Sequence, residues 1–150
     1  MGNYDMVIDA EGKILGRLAS FVAKQLLEGK RIAIVNAEKA VITGNPQTIL
    51  EKYQKRRSIE GKPKPTKGPV QPRTPDRIVW KTIRGMLPMK KAKGREALRR
   101  LRVFIGVPPE LKKVEVFELP FEYTVENLRP KKQKKEVTVY WLAKSLGWRG

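Results

Sequence analysis

Residues 6–37 constrain the fold more tightly than any other part of the chain. MVIDA (6–10) is a short apolar run, and Glu11-Gly12 after it reads as a turn. The next stretch, KILGRLASFVAKQLLEG, puts Leu15, Leu18, Ala19, Val22, Ala23, Leu26 and Leu27 on one side. That is the i, i+3, i+4, i+7 spacing of an amphipathic helix. Gly29 is a natural helix stop, and RIAIVNA (31–37) is a second apolar run. Strand, helix and strand in this order form a βαβ unit. Its strands are parallel and its crossover right-handed, so the chain is of the α/β class.

The rest of the chain extends this unit. KAVITG (39–44) is a further short strand or the lead into the next helix. Asn45-Pro46 starts that helix, Asn as N-cap and Pro at the first helical position, and it runs to about Arg57. Residues 58–75, SIEGKPKPTKGPVQPRTP, hold five of the eleven prolines and suit an extended, polyproline-like arm. Thr74-Pro75 restarts a helix with Val79, Trp80, Ile83, Met86 and Leu87 as its buried stripe, ended by Pro88. After MKKAKG, residues 95–102 (REALRRLR) read as a short helix with Ala97, Leu98 and Leu101 inward. VFIGV (103–107) then forms a strand closed by Pro108-Pro109. VEVFEL (114–119) is strand or extended, RPKKQKK (129–135) is a basic connector, and VTVYWLAKSL (137–146) is a final helix. That helix turns Val139, Leu142, Ala143 and Leu146 inward and stops at Gly147. The chain thus reads as one domain, 1–150, with a basic arm at 58–75 and a C-terminal helical extension at 110–150. A length of 150 residues suits one domain with a real core.

Charge narrows the partner. Thirty-three Lys and Arg face 15 Asp and Glu, a formal net charge of +18. The excess is concentrated: residues 51–105 hold 18 basic and 4 acidic residues. Like charge at this density repels itself in the folded state, and a polyanion relieves it. Nucleic acid is the leading partner, because phosphate neutralisation dominates such binding. An anionic membrane surface comes second, but no apolar run approaches a bilayer span, and the N-terminus lacks a secretory layout. A solvated helix face mixes signs, often as Glu–Lys pairs. Here Arg77, Lys81 and Arg84, then Lys90, Lys91, Lys93, Arg95, Arg99, Arg100 and Arg102, have only Glu96 among them. Arg56 and Arg57 at the end of the preceding helix, and Lys62, Lys64, Lys67 and Arg73 on the arm, join this set. A polar arm of this kind orders on a partner and wraps it.

Chemistry is narrowed by what is missing. The chain has no His and no Cys, so disulfides, thiol chemistry and His-based acid–base catalysis are excluded, and nearly all zinc sites with them. Glu11-Gly12-Lys13 superficially resembles a phosphate loop, but GxxxxGK[ST] and GxGxxG are both lacking. Asp5, Asp9 and Glu11 could in principle hold a metal, although three acids near a terminus are more often turn and cap residues. No base partner is recognisable for Ser20, Ser58 or Ser145. The expectation is therefore no catalytic residue, no cofactor, no metal and no small-molecule substrate. Tyr140, Trp141 and Trp148 suit packing or docking against a protein neighbour better than base stacking.

Several motifs carry a family resemblance. WKTIRGMLP followed by GREALRRLRVFIGVPP, VIDAEGKILGRLAS near the N-terminus, and IVNAEKAVITGN occur in one order across most of the chain. Together they resemble the L-thirteen family of large-subunit ribosomal proteins. GPVQPRTPDRIVWKTIRGMLP is similar to the archaeal and eukaryotic branch, whereas the bacterial branch tends to have Lys where this chain has Pro46. The resemblance implies a three-layer α/β/α fold with a mainly parallel four-stranded sheet. It implies a structural role in the cytoplasmic large ribosomal subunit, binding its ribosomal RNA beside neighbouring ribosomal proteins, and no catalytic activity. It carries RNA contact onto Arg84, Lys90, Lys91, Lys93, Arg95, Arg99 and Arg102, and onto Arg73 and the arm lysines. Arg17 and Lys39 lie within its N-terminal motifs. Two other classes compete: an RNA-processing factor, which needs a catalytic constellation, and a nucleic-acid architectural protein, which binds duplex DNA as well as RNA. The MKKAKG connection is longer and more basic than a helix-turn-helix turn.

Overall fold

The computed structural model describes residues 4–61, 74–120, 123–124 and 136–148, and for 56–61 the backbone alone. The βαβ unit forms as its pattern requires. Strand β1 (Met6–Asp9) leads into helix α1 (Leu15–Leu27), and strand β2 (Ile32–Val35) returns parallel to β1, Met6 opposite Ile32 through Asp9 opposite Val35. Every residue of β2 is buried, because it is the central strand and both its faces are covered. Side chains alternate across the sheet. Ile8, Ile32 and Ile34 enter the main core, while Val7, Ala33 and Val35 pack on the other side with Leu111, Tyr4, Phe104 and Val107.

After β2 the chain leaves the sheet. Asn36 takes a left-handed conformation (φ 56°) and opens a 3-10 turn, Ala37–Lys39. An Asn tolerates that region better than a branched residue. Strand β3 (Val41–Thr43) then pairs antiparallel with β5 (Glu136–Thr138), Val41 opposite Thr138. The third parallel strand is β4 (Leu101–Val103), with Ile32 opposite Leu101 and Ile34 opposite Val103. Among the described residues the architecture is mixed α/β: three parallel strands in the order β1–β2–β4, plus an antiparallel pair.

Helix α2 (Pro46–Gly61) begins where Asn45-Pro46 directs it. Asn45 Oδ1 accepts from the backbone N–H of Gln47 at 2.9 Å and of Thr48 at 3.4 Å. Asn45→Ala should therefore cost about 1 kcal/mol, whereas Asn45→Asp should be nearly neutral, as read by chemical denaturation. An equal loss in both variants would show that the cap is not the cause. The helix continues to Gly61, beyond the expected end near Arg57, so residues 58–61 belong to α2 and not to an arm. Residues 62–73 lie outside the described residues.

Helix α3 (Pro75–Arg84) starts at Thr74-Pro75 as expected. Its buried residues are Pro75, Ile78, Val79 and Ile83, with Leu87 buried just beyond. Two expected positions differ: Trp80 is only half-buried at the core margin, and Met86 is 44% exposed. The chain turns at Gly85, so the helical period that would bury Met86 no longer applies there. Helix α4 spans Ala92–Arg99, and not 95–102. Its early start rests on Gly94, where a Cβ would overlap the Pro88 carbonyl oxygen and carbon. It ends early because Leu101 is claimed by the ladder with Ile32. The strand expected at 103–107 accordingly lies at 101–103, and Gly106, at φ 69°, has already left it.

In the C-terminal part, 114–119 forms no regular strand, although the Phe117 N–H donates to the Val7 carbonyl at 2.8 Å, beside the edge of β1. Residues 125–135, including the basic connector, lie outside the described residues. Helix α5 (Val139–Ser145) starts two residues later than expected, because Val137 and Thr138 belong to β5. Thr138 Oγ1 then caps the helix, accepting from the Trp141 N–H at 3.1 Å. Val139, Leu142, Ala143 and Leu146 are buried as their spacing requires, and α5 packs against α3. Gly147, at φ 112°, ends the helix region. No described helix is long and apolar enough to cross a membrane.

Candidate nucleic-acid interface

The basic surface is built on α3, the turn after it and α4. Both helices pack on α1, using apolar stripes that leave their charged faces outward. On α3, Arg77 and Arg84 are exposed and Lys81 is half-buried. The Arg77 guanidinium lies 5.2 Å from the centre of the Trp80 ring, which explains how that Trp stays at the core margin. Lys90 and Lys91 lie exposed before α4, and Lys93, Arg95 and Arg99 are exposed on it. Arg95 Nη1 donates to the Met89 carbonyl at 3.0 Å, fastening the turn to the helix it precedes.

Arg100 and Arg102 part from this set, for reasons the helical reading of 95–102 conceals. Arg100 sits at the C-cap of α4 and turns inward, its Nη2 donating to the Leu26 carbonyl at 2.8 Å. That bond adds a second donor to a carbonyl at the end of α1 that already accepts from the Gly29 N–H at 3.0 Å. Its Nε is buried without a protein partner. Arg102 lies on β4, exposed, with Nη1 donating to the Leu101 and Arg99 carbonyls at 2.9 and 3.3 Å. Neighbouring arginines should therefore answer differently to substitution. Arg100→Ala should lower stability by about 1–2 kcal/mol with little change in RNA affinity, and Arg99→Ala should do the reverse. Thermal denaturation with a binding isotherm on each variant checks this. An affinity loss for Arg100→Ala matching that of Arg99→Ala would contradict the assignment.

The remaining candidates are dispersed. Arg17 is exposed on α1, where it lines an open groove with Gly16, Ser20 and Tyr123. Lys39 is exposed on the 3-10 turn that packs against α3 and α5. Arg56 and Arg57 belong to the backbone of α2. Lys62, Lys64, Lys67 and Arg73 lie outside the described residues. Lys24, absent from the sequence-predicted set, stands exposed on α1 and lines a groove with Lys93. In sequence it is one of two basic residues on α1, seven positions from Arg17, and only the packing of α4 beside α1 brings Lys93 to it.

The N-terminal acids have structural work. Asp9 Oδ1 accepts from the Glu11 N–H at 2.9 Å and from Asn36 Nδ2 at 3.1 Å, holding the β1 turn to the left-handed residue after β2. Asp5 Oδ2 accepts from the Arg31 N–H at 2.7 Å. Glu38 Oε1 accepts from the Gly106 N–H at 3.0 Å, tying the turn after β2 to the loop that follows β4. At the C-terminus, Tyr140 and Trp148 meet edge-to-face at 5.7 Å, with Lys144 Nζ within 6 Å of both rings. Tyr140 and Trp141 are exposed. On α3, α4 and the turn between them, Arg77, Arg84, Lys90, Lys91, Lys93, Arg95 and Arg99 are exposed cations of the kind that can meet phosphates.

Comparison with known proteins identifies the family. A family model described as ribosomal protein L13 matches residues 4–110. The chain is 49% identical over all 150 residues to the large ribosomal subunit protein uL13 of Archaeoglobus fulgidus, covering 92% of that protein. It is 55% identical over 114 residues to uL13 of Methanosarcina barkeri, covering 75% of this chain and 79% of that one. It is 56% identical over 106 residues to uL13 of Methanocaldococcus jannaschii, covering 70% and 77%. With the family motifs on the elements that carry the basic surface, and similarity continuing through the C-terminal helix, the chain belongs to the ribosomal protein L13 family.

Proposed function

We propose that the chain is a structural constituent of the large ribosomal subunit in the cytoplasm, and that it binds large-subunit ribosomal RNA and supports subunit assembly. The observation that carries the reading is the strongly basic surface from Arg84 through Lys90, Lys91, Lys93, Arg95 and Arg99, with Glu96 as the one acid in that span, in a chain whose relatives are large-subunit proteins. Arg77, Lys81 and Arg102 extend this surface, and Arg17, Lys39, Arg56, Arg57 and the 62–73 segment supply further contacts. Arg100 serves the fold through the end of α1. Phosphate neutralisation supplies the affinity, and the rigid packing of α3 and α4 on α1 sets the spacing at which phosphates are met. No catalytic step, cofactor or small-molecule substrate enters this role.

The chain acts as one domain, a reading supported by the β3–β5 pairing between its first third and its last. The three-layer arrangement around a mainly parallel four-stranded sheet is the family's expected fold, and the isolated parallel bridge between Ile14, at the start of α1, and Val41 brings β3 beside the βαβ unit. The partners are ribosomal RNA and neighbouring large-subunit proteins. For the latter, the exposed Tyr140 and Trp141 are a suitable surface. The test is expression of the tagged chain in an archaeal host, followed by gradient sedimentation. Co-migration with the large subunit, persisting at moderately raised salt, is the expected outcome. Recovery only in the free fraction, or with chromosomal DNA, would overturn the reading.

A further inference from the structure

Beside the basic face the fold leaves an open groove of about 440 Å³ between α1 and the α3–α4 turn. Its apolar lining comes from Ala23 and Leu27 of α1 and from Met86. Lys24 lines it from α1 and Lys93 from α4. Met86 is 44% exposed beside Ala23 and Leu27, so a large thioether stands open at a concave place that two lysines also line.

We propose that this groove receives one unstacked nucleotide of the bound RNA, its base against Met86 and Leu27 and its flanking phosphates on Lys24 and Lys93. The proposal rests on the ribosomal RNA-binding reading above and adds a base-contacting site to a surface otherwise suited to phosphates. Three observations favour a nucleotide. The volume falls within the roughly 300–1,000 Å³ that small ligands occupy. A thioether packs well against an aromatic face, and unstacked bases are what proteins grip on RNA. Lys93 also belongs to the exposed basic face of α4, so a strand lying there reaches the groove directly. Ser20 and Glu28, which also line it, can bond a base edge or a 2′-hydroxyl. An apolar peptide side chain would fill the same space but leave the two lysines facing only Glu28.

The test uses the full chain with its methionine methyl groups labelled with ¹³C, and Met86→Leu to assign the Met86 signal. Probes are single-stranded pentaribonucleotides of adenine and of uracil, and an abasic ribose-phosphate pentamer. The base-bearing probes should move the Met86 methyl upfield through the ring current, and the abasic one should leave it in place. Lys24→Glu with Lys93→Glu should weaken the fitted affinity by about tenfold. An unmoved Met86 with both base-bearing probes overturns the proposal and leaves the groove to a protein side chain. Equal movement with the abasic probe also overturns it, because only phosphates would then be bound. Binding to archaeal large-subunit ribosomal RNA, measured on the same sample, separates the two readings. If that binding holds while Met86 is silent, the groove proposal alone falls.

Discussion

Replacing Lys91, Lys93, Arg95 and Arg99 together by alanine should weaken binding to large-subunit ribosomal RNA on the order of a hundredfold at about 0.1 M salt. All four are exposed on one helix or at its start. Each phosphate contact contributes close to −0.9 to the slope of log K against log salt on a duplex, so the slope should flatten by about 3 to 4. Stability should change little. Exposed substitutions without buried partners usually stay within about 0.5 kcal/mol. Losing the Arg95 bond to the Met89 carbonyl costs about 1 kcal/mol, partly offset by relief of like-charge repulsion along α4. Filter binding over a salt series, with thermal denaturation of the same preparation, reads both quantities. A lost thermal transition, or an unchanged slope, would show that these side chains do not do what is claimed.

Gly94→Ala should destabilise the protein even though alanine is the better helix former. A Cβ at Gly94 would run into the carbonyl group of Pro88 and crowd the Met89 nitrogen, all backbone atoms that cannot swing aside. Overpacking of this kind costs about 3 kcal/mol, while exchanging Gly for Ala in a helix returns about 1 kcal/mol. The clash wins by about 2 kcal/mol, which lowers Tm by roughly 4–8 °C in a chain of this length. RNA affinity should fall as well, because α4 must lift from the 88–89 turn and take Lys93, Arg95 and Arg99 with it. A variant as stable as the parent would mean that the contact between α4 and that turn is looser than described.

Legibility followed the physics of each segment. The βαβ unit was readable because its apolar residues repeat with a helical period between two apolar runs, and no other packing satisfies both. The starts of α2 and α3 were readable because Asn-Pro and Thr-Pro are local signals. Other elements were decided by distant partners. Nothing local in REALRRLR says that Leu101 leaves the helical register to pair with Ile32, or that Arg100 turns in to the Leu26 carbonyl. Nothing local in VTVYW says that Val137 and Thr138 pair with Ile42 and Val41. Of the candidate interface, the excess of basic residues from Arg77 to Arg102, with Glu96 the one acid among them, was visible directly, whereas the Lys24–Met86–Lys93 groove exists only once α4 lies beside α1.

The central claim is that the basic face recognises large-subunit ribosomal RNA and is more than a general cationic surface. The most direct measurement is binding of the full chain to archaeal large-subunit ribosomal RNA over a salt series, with unrelated structured RNA and duplex DNA as competitors. Specific binding should exceed either competitor by on the order of a thousandfold near physiological salt, with a steep slope counting the phosphates engaged. If all three polyanions bind alike and release together as salt rises, the claim is contradicted and the chain is a general nucleic-acid architectural protein.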